Sequence, residues 1–162
     1  MTGDSAWSLF AQPTLEEARN CLQDRADRGF NLVVATLIEH EFATSAPGNA
    51  NSGLPFIGDP FTTPSEACFA HDDSIVEFAS SLDIVLFLAP VYIGHQCGDQ
   101  GWYQEMQDVT LSQMRDWAQF IGQRYGSYDK LMWSTRGGGS GRVCTTANCE
   151  RPKARRPAKW SC

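Results

Sequence analysis

Two stretches of this sequence have no polar face. Asn31-Leu-Val-Val-Ala-Thr-Leu-Ile38 and Ile84-Val-Leu-Phe-Leu-Ala89 are almost unbroken apolar runs, rich in β-branched residues. That is the pattern of strands covered on both sides, as in a parallel sheet, and not of a sheet wetted on one face. Parallel neighbours need a crossover, so helices must lie between the runs. The spacing supplies them. Thr14 and Glu17 form a T-x-x-E capping box that opens a helix through about Arg28, with Leu15, Ala18, Leu22 and Ala26 on one face and Gly29 as its stop. A second helix is expected from about Pro64 to Leu82, with Ala67, Phe69, Ile75, Phe78 and Ala79 as its apolar contacts. A third, read as one long amphipathic helix from about Trp102 to Tyr125, carries Met106, Val109, Met114, Trp117, Phe120 and Ile121. Leu131-Met-Trp133 begins a further strand.

The order is strand end, helix, strand, helix, strand, helix, strand. This predicts an α/β fold of βα units with right-handed crossovers. Long loops, Glu39 to Pro64 and Val91 to Gly101, always follow a strand, and in parallel architectures ligands bind at those carboxyl ends. At 162 residues the chain falls short of a complete (β/α)₈ barrel, which needs about 200 or more.

Charge divides the chain in two. Residues 1–133 hold 6 Lys+Arg against 18 Asp+Glu, a net −12, whereas 134–162 hold 7 Lys+Arg against one Glu, a net +6. The acidic part argues against a nucleic-acid partner, which would call for a cationic surface. No stretch approaches the ~20 apolar residues of a membrane span. The start lacks a basic segment followed by an apolar one, so the chain as written reads as cytoplasmic. Cys21, Cys68 and Cys97 are scattered and Cys144, Cys149 and Cys162 lie in the basic part, with no zinc-knuckle or C-x-x-C spacing; they read as buried or incidental thiols.

The strand ends carry Asp4 and Trp7, then Glu39, His40 and Glu41, then Tyr92, His95, Asp99, Trp102 and Tyr103. Carboxylates and aromatic planes on one side suit a carbohydrate site, because carboxyl groups hold hydroxyls or act on the glycosidic oxygen and rings cover apolar sugar faces. The plainer alternative is that Asp4 caps a turn, Glu39 and Glu41 are solvated, and Trp102 opens a helix by packing on the sheet. A metal site is not expected from the three histidines, since His71-Asp72-Asp73 falls mid-helix where consecutive side chains diverge. No cofactor is expected. There is no G-x-S-x-G, and the Gly137 to Gly141 run is not a phosphate loop, for no Gly-Lys-Ser/Thr follows.

Gly3-Asp-Ser-Ala-Trp-Ser-Leu-Phe10, Leu15-Glu-Glu-Ala18, Asp24-Arg-Ala-Asp-Arg-Gly-Phe-Asn31, Pro55-Phe56, Phe69-Ala-His71 and Gly101-Trp-Tyr-Gln-Glu105 resemble, in order and spacing, the apiosidase-like catalytic domain family of glycoside hydrolases. The resemblance covers about residues 3–133. It implies a TIM barrel, of which this chain would hold βα units one to three and the start of strand four. It also implies hydrolysis of glycosidic bonds in plant-type or other complex polysaccharides by bacterial enzymes using two carboxylates. Carried over by position, Asp4, Trp7, Glu39, His40, Tyr92 and Trp102 would line the sugar-binding side.

The family's fourth strand typically ends in Gly-Gly-Asp, whose aspartate is the expected acid/base. Here Leu131-Met-Trp-Ser-Thr-Arg-Gly-Gly-Gly139 has no aspartate at Gly138 or Gly139, and the second carboxylate is expected on a later strand. Ser65 and Cys68 stand where the family often has Asn and Tyr. The expectation is a partial glycoside hydrolase domain over 1–133, inactive without the expected catalytic carboxylates, and a basic low-order tail over 134–162, either frameshifted or a genuine segment for an acidic partner. A non-catalytic binding remnant and a non-functional gene product are the alternatives. Open barrel edges predict self-association, and a secreted or periplasmic location is left open for an intact homologue.

Overall fold

The computed structural model describes residues 1–134. Strand β1 (Gly3–Ser5) is followed by α1 (Leu15–Asp27), β2 (Leu32–Thr36), a small hairpin of β3 (Phe56–Ile57) and β4 (Thr63–Pro64), and α2 (Glu66–Ser81). Then come β5 (Val85–Ala89), a single 3₁₀ turn at His95–Cys97, α3 (Tyr103–Asp108), α4 (Leu111–Tyr125) and β6 (Leu131–Trp133). The main sheet has the order β1-β2-β5-β6 and is parallel throughout. The βα alternation read from the sequence is therefore the fold, and the tail, with Gly138 and Gly139, lies outside the described residues.

Strand parity sorts the side chains. Val33 pairs with Leu86 and Leu86 with Leu131, while Ala35 pairs with Leu88 and Leu88 with Trp133. Val33, Ala35, Leu86 and Leu88 are fully buried within one core that includes Ala18, Leu22, Phe69, Ile75, Ala79, Trp117, Ile121 and Tyr125 of the helices. The alternate row, Ser5, Val34, Phe87 and Met132, lies on the opposite face. That concave face is only partly covered: Val34 and Phe87 are half-buried and Met132 is 50% exposed. Its strands read as doubly covered because such a face is closed by opposing strands in a full barrel; the described residues contribute four strands.

The helices follow their predicted starts with one correction. Thr14 caps α1 as expected: its Oγ1 accepts the Glu17 amide, and Glu17 in turn accepts the Thr14 amide at 2.8 Å. The segment from Trp102 to Tyr125, however, is two helices. Val109 is extended (φ −101°, ψ 155°), and Thr110 starts α4 with a second capping box, closed by Gln113 accepting the Thr110 amide at 2.8 Å. A T-x-x-Q box satisfies amides that a continuous helix would otherwise occupy, so a break there costs little. Ala67, expected on the apolar face of α2, is exposed. Cys21 and Cys97 are disulfide-bonded where thiols were expected, and Cys68 is the free, buried cysteine among the described residues.

An aromatic cluster joins the layers. Trp117 of α4 meets Phe56 of the hairpin at 5.2 Å, Phe61 at 6.1 Å, Phe69 of α2 at 5.8 Å and Phe120 at 5.9 Å between ring centroids. Arg124 of α4 completes the seam with α2, donating to both carboxylate oxygens of Asp73 at 2.8 Å and to Glu66 at 2.7 Å. No helix among the described residues is long and apolar enough to cross a membrane.

Candidate functional site

The carboxyl ends of β1, β2 and β5 bring three loops together. Trp7 follows β1, Phe42 follows β2 and Tyr92 follows β5. Trp7 stands edge-on to Tyr92 at 5.4 Å and Phe42 tilts against Tyr92 at 5.6 Å. Trp7 is half-buried and Phe42 exposed, so these two offer aromatic surface to solvent, while Tyr92 between them is buried. Beside it, His40 Nε2 lies 2.8 Å from Glu105 Oε1 on α3, and the His40 ring stands edge-on to Trp102 at 4.8 Å. Both partners are partly exposed, leaving polar edges next to the rings.

Trp102 itself belongs to the interior. It is 3% exposed and packs edge-on against Phe56 and Phe61. The cause is the fold of the loop after β5: the Trp102 amide donates to the Tyr92 carbonyl at 2.8 Å, and Gly101 presses so closely on Gly94 that a Cβ there would overlap the Gly94 amide. His95, Asp99 and Glu41 are exposed, and Tyr103 is half-buried.

Asp4 is not brought to this group. It pairs across the sheet with Val33, which faces the helices, and its carboxylate is bound by Arg25 of α1. Glu39 lies at the site but beneath its surface. It is 2% exposed, Ser8 Oγ donates to its Oε1 at 3.0 Å, and Oε2 is buried with no hydrogen-bond partner among the described residues. Burial pushes its pKa up to about 7, against smaller opposing contributions from Ser8 and the Ala43 backbone. Glu39 thus lies enclosed beneath the surface group, its carboxyl held above the usual carboxylate range by burial.

Two contributors were not singled out from the sequence. Glu105 follows the Trp102-Tyr103 pair, and its signal was the helix register of α3. Phe42, two residues after His40, had none. Among the described residues no group of three or more His, Cys, Asp or Glu is arranged to hold a metal ion.

Parallel βα units with aromatic and acid-bearing loops at the carboxyl strand ends define a segment of TIM-barrel type. Two solved structures share this fold. One, described as a glycoside hydrolase, superposes with a TM-score of 0.63 at 16% identity over 82% of this chain and 28% of its own. The other, a glycoside hydrolase family 5 protein from Bacteroides vulgatus ATCC 8482, gives 0.63 and 16% over 82% of this chain and 27% of its own. The chain therefore spans little more than a quarter of those proteins. No curated protein matches it. The family model of the apiosidase-like catalytic domain matches residues 1–158, and the chain belongs to that family. The match continues past the change of composition near residue 133.

Proposed function

We propose that the described residues form the sugar-binding flank of a glycoside hydrolase acting on complex, plant-type polysaccharides, and that this chain binds without hydrolysing. The observation that carries the reading is the convergence of Trp7, Phe42 and Tyr92 beside the His40–Glu105 pair at the ends of three consecutive strands, in a chain of this family. Ring faces cover the apolar side of a sugar, and the imidazole and carboxylate take its hydroxyls. Hydrolysis in glycosidases requires two carboxyl groups flanking the bond. Among the candidates here Asp4 is held by Arg25 and Glu39 is enclosed, which supports binding without turnover.

Titrating the protein with pectic oligosaccharides is expected to quench tryptophan fluorescence, and Trp7→Ala or Tyr92→Ala to weaken the interaction by about tenfold, the worth of one aromatic contact. Turnover of aryl glycosides or pectic side chains, lost in Glu39→Ala, would overturn the non-catalytic part. Absence of any saccharide binding would overturn the whole reading.

Self-association is the second element, favoured by the concave face. In the described sheet β1 and β6 each have one neighbour, and Val34, Phe87 and Met132 lie between those edges. Two such sheets have the strand count of a barrel, with β6 of each copy against β1 of the other. Sedimentation velocity is expected to show a dimer or larger species, driven toward monomer by Met132→Lys, since an edge lysine opposes strand pairing. A monomer at every concentration would refute it.

A further inference from the structure

The charges of this chain are sorted by position. No lysine or arginine occurs between Arg28 and Arg115, a stretch that holds the whole of the loops after β2 and β5, and none occurs before Arg19, so the loop after β1 has none either. Among the described residues the cations lie on the helices or beside β6. Arg25 is paired with Asp4 and Asp24, Arg28 with Asp24, Arg124 with Asp73 and Glu66, and Lys130 with Asp83. Arg19 of α1 lies over the Phe78 ring of α2, and Arg115 is exposed on α4. The remaining cations fall in 134–162, outside the described residues. The loops themselves carry carboxylates. Glu41, between His40 and Phe42, is exposed, Asp99 is exposed in the loop that follows β5, and Glu105 lies 2.8 Å from His40 Nε2.

We propose that the saccharide taken at this site is neutral, the loop carboxylates turning away sugars that bear a carboxylate, sulfate or phosphate. The inference rests on the reading of Trp7 and Phe42 as a sugar platform and names its substrate class. An anionic group brought against those rings would lose its water without gaining the guanidinium or ammonium donor that ordinarily replaces it. It would also meet like charges at short range, where salt screens them incompletely. Hydroxyl groups meet no such obstacle, because a carboxylate accepts hydrogen bonds from them. The same acids therefore hold a neutral sugar and repel a charged one. Of the two imidazoles in these loops, His95 is exposed and His40 already faces the Glu105 carboxylate, so neither stands in for a fixed cation.

The test compares ligands that differ only in charge. Calorimetric titration of the intact chain with tetragalacturonate and with its full methyl ester, at about pH 7.5 where an ordinary histidine is neutral, is expected to show the free acid binding at least about fivefold more weakly. Neutral galactan and arabinan oligosaccharides complete the panel. Added salt is expected to narrow the gap, since screening acts on the charge alone. Glu41→Lys or Asp99→Lys, both at exposed positions, is expected to lower the ester-to-acid affinity ratio by about threefold or more. Free tetragalacturonate binding as tightly as its ester, or more tightly with a loss on adding salt, would overturn the exclusion while leaving saccharide binding in place. An affinity ratio indifferent to both lysine substitutions would overturn the role given to the loop carboxylates. Absence of binding across all the neutral oligosaccharides is the separate failure of the saccharide reading, and this inference would fall with it.

Discussion

Trp117→Ala is expected to leave a chain without a cooperative unfolding transition. The indole is 3% exposed and is the contact shared by the hairpin, α2 and α4 through Phe56, Phe61, Phe69 and Phe120. Truncating a buried tryptophan costs about 3–5 kcal/mol, against a total of roughly 5–15 kcal/mol for an ordinary domain. The loss is concentrated at one joint, because the hairpin strands are only two residues each and have little pairing of their own to fall back on. Urea denaturation followed by circular dichroism checks it. The control is Leu111→Ala: Leu111 is 82% exposed, and its change should stay within about 0.5 kcal/mol. A sharp transition in Trp117→Ala with a similarly small loss would show that the aromatic cluster is not what joins these layers.

Asp72→Val is expected to stabilise the protein at pH 8 by roughly 1–3 kcal/mol, the cost of a buried polar group left without a full set of partners. Asp72, on α2, is 1% exposed, and its Oδ1 is buried without a hydrogen-bond partner among the described residues. Valine has nearly the volume of aspartate, so no cavity is opened. The same group makes stability depend on pH. Glu39 and Asp72 both hold protons more tightly folded than unfolded, so folding takes protons up. Their contribution is complete below the ordinary carboxylate range near pH 4. It is lost as pH rises, through about 7 for Glu39 and above the usual carboxylate range for Asp72. His71 acts in the opposite direction on the acid side, since burial lowers its pKa and its neutral form is the one that fits. The melting temperature should therefore fall from pH 6 to pH 8.5, and Asp72→Val should flatten that slope. A destabilised variant with the slope intact would mean that Asp72 is held as a carboxylate by Arg124.

The architecture was legible because the two apolar runs and the Thr14 box are local signals. Thr110 carries the same kind of box, yet it sits inside a run whose apolar residues, Met106, Val109 and Met114, keep helical spacing across the break; spacing alone registers the face and not the turn of the axis. The hairpin escaped because two-residue strands have no period. For the site, position after a strand identified loops that meet at the sheet end but not which way each side chain turns. Asp4 faces α1 by the parity of its pairing with Val33, a partner distant in the chain, and Trp102 turns inward by the close approach of Gly94 and Gly101, a loop closure that has no period. Phe42 and Glu105, by contrast, reach the surface group only because those same loops fold over one another.

The order of strands in the main sheet is the order in which they occur in the chain. Each new strand adds beside the one made just before it, so no strand must wait for a neighbour still to be synthesised. During translation the N-terminal units can dock as they leave the ribosome, with β6 as the growing edge. A chain assembled in this way brings the loops after β1 and β2 together before β5 and β6 have emerged.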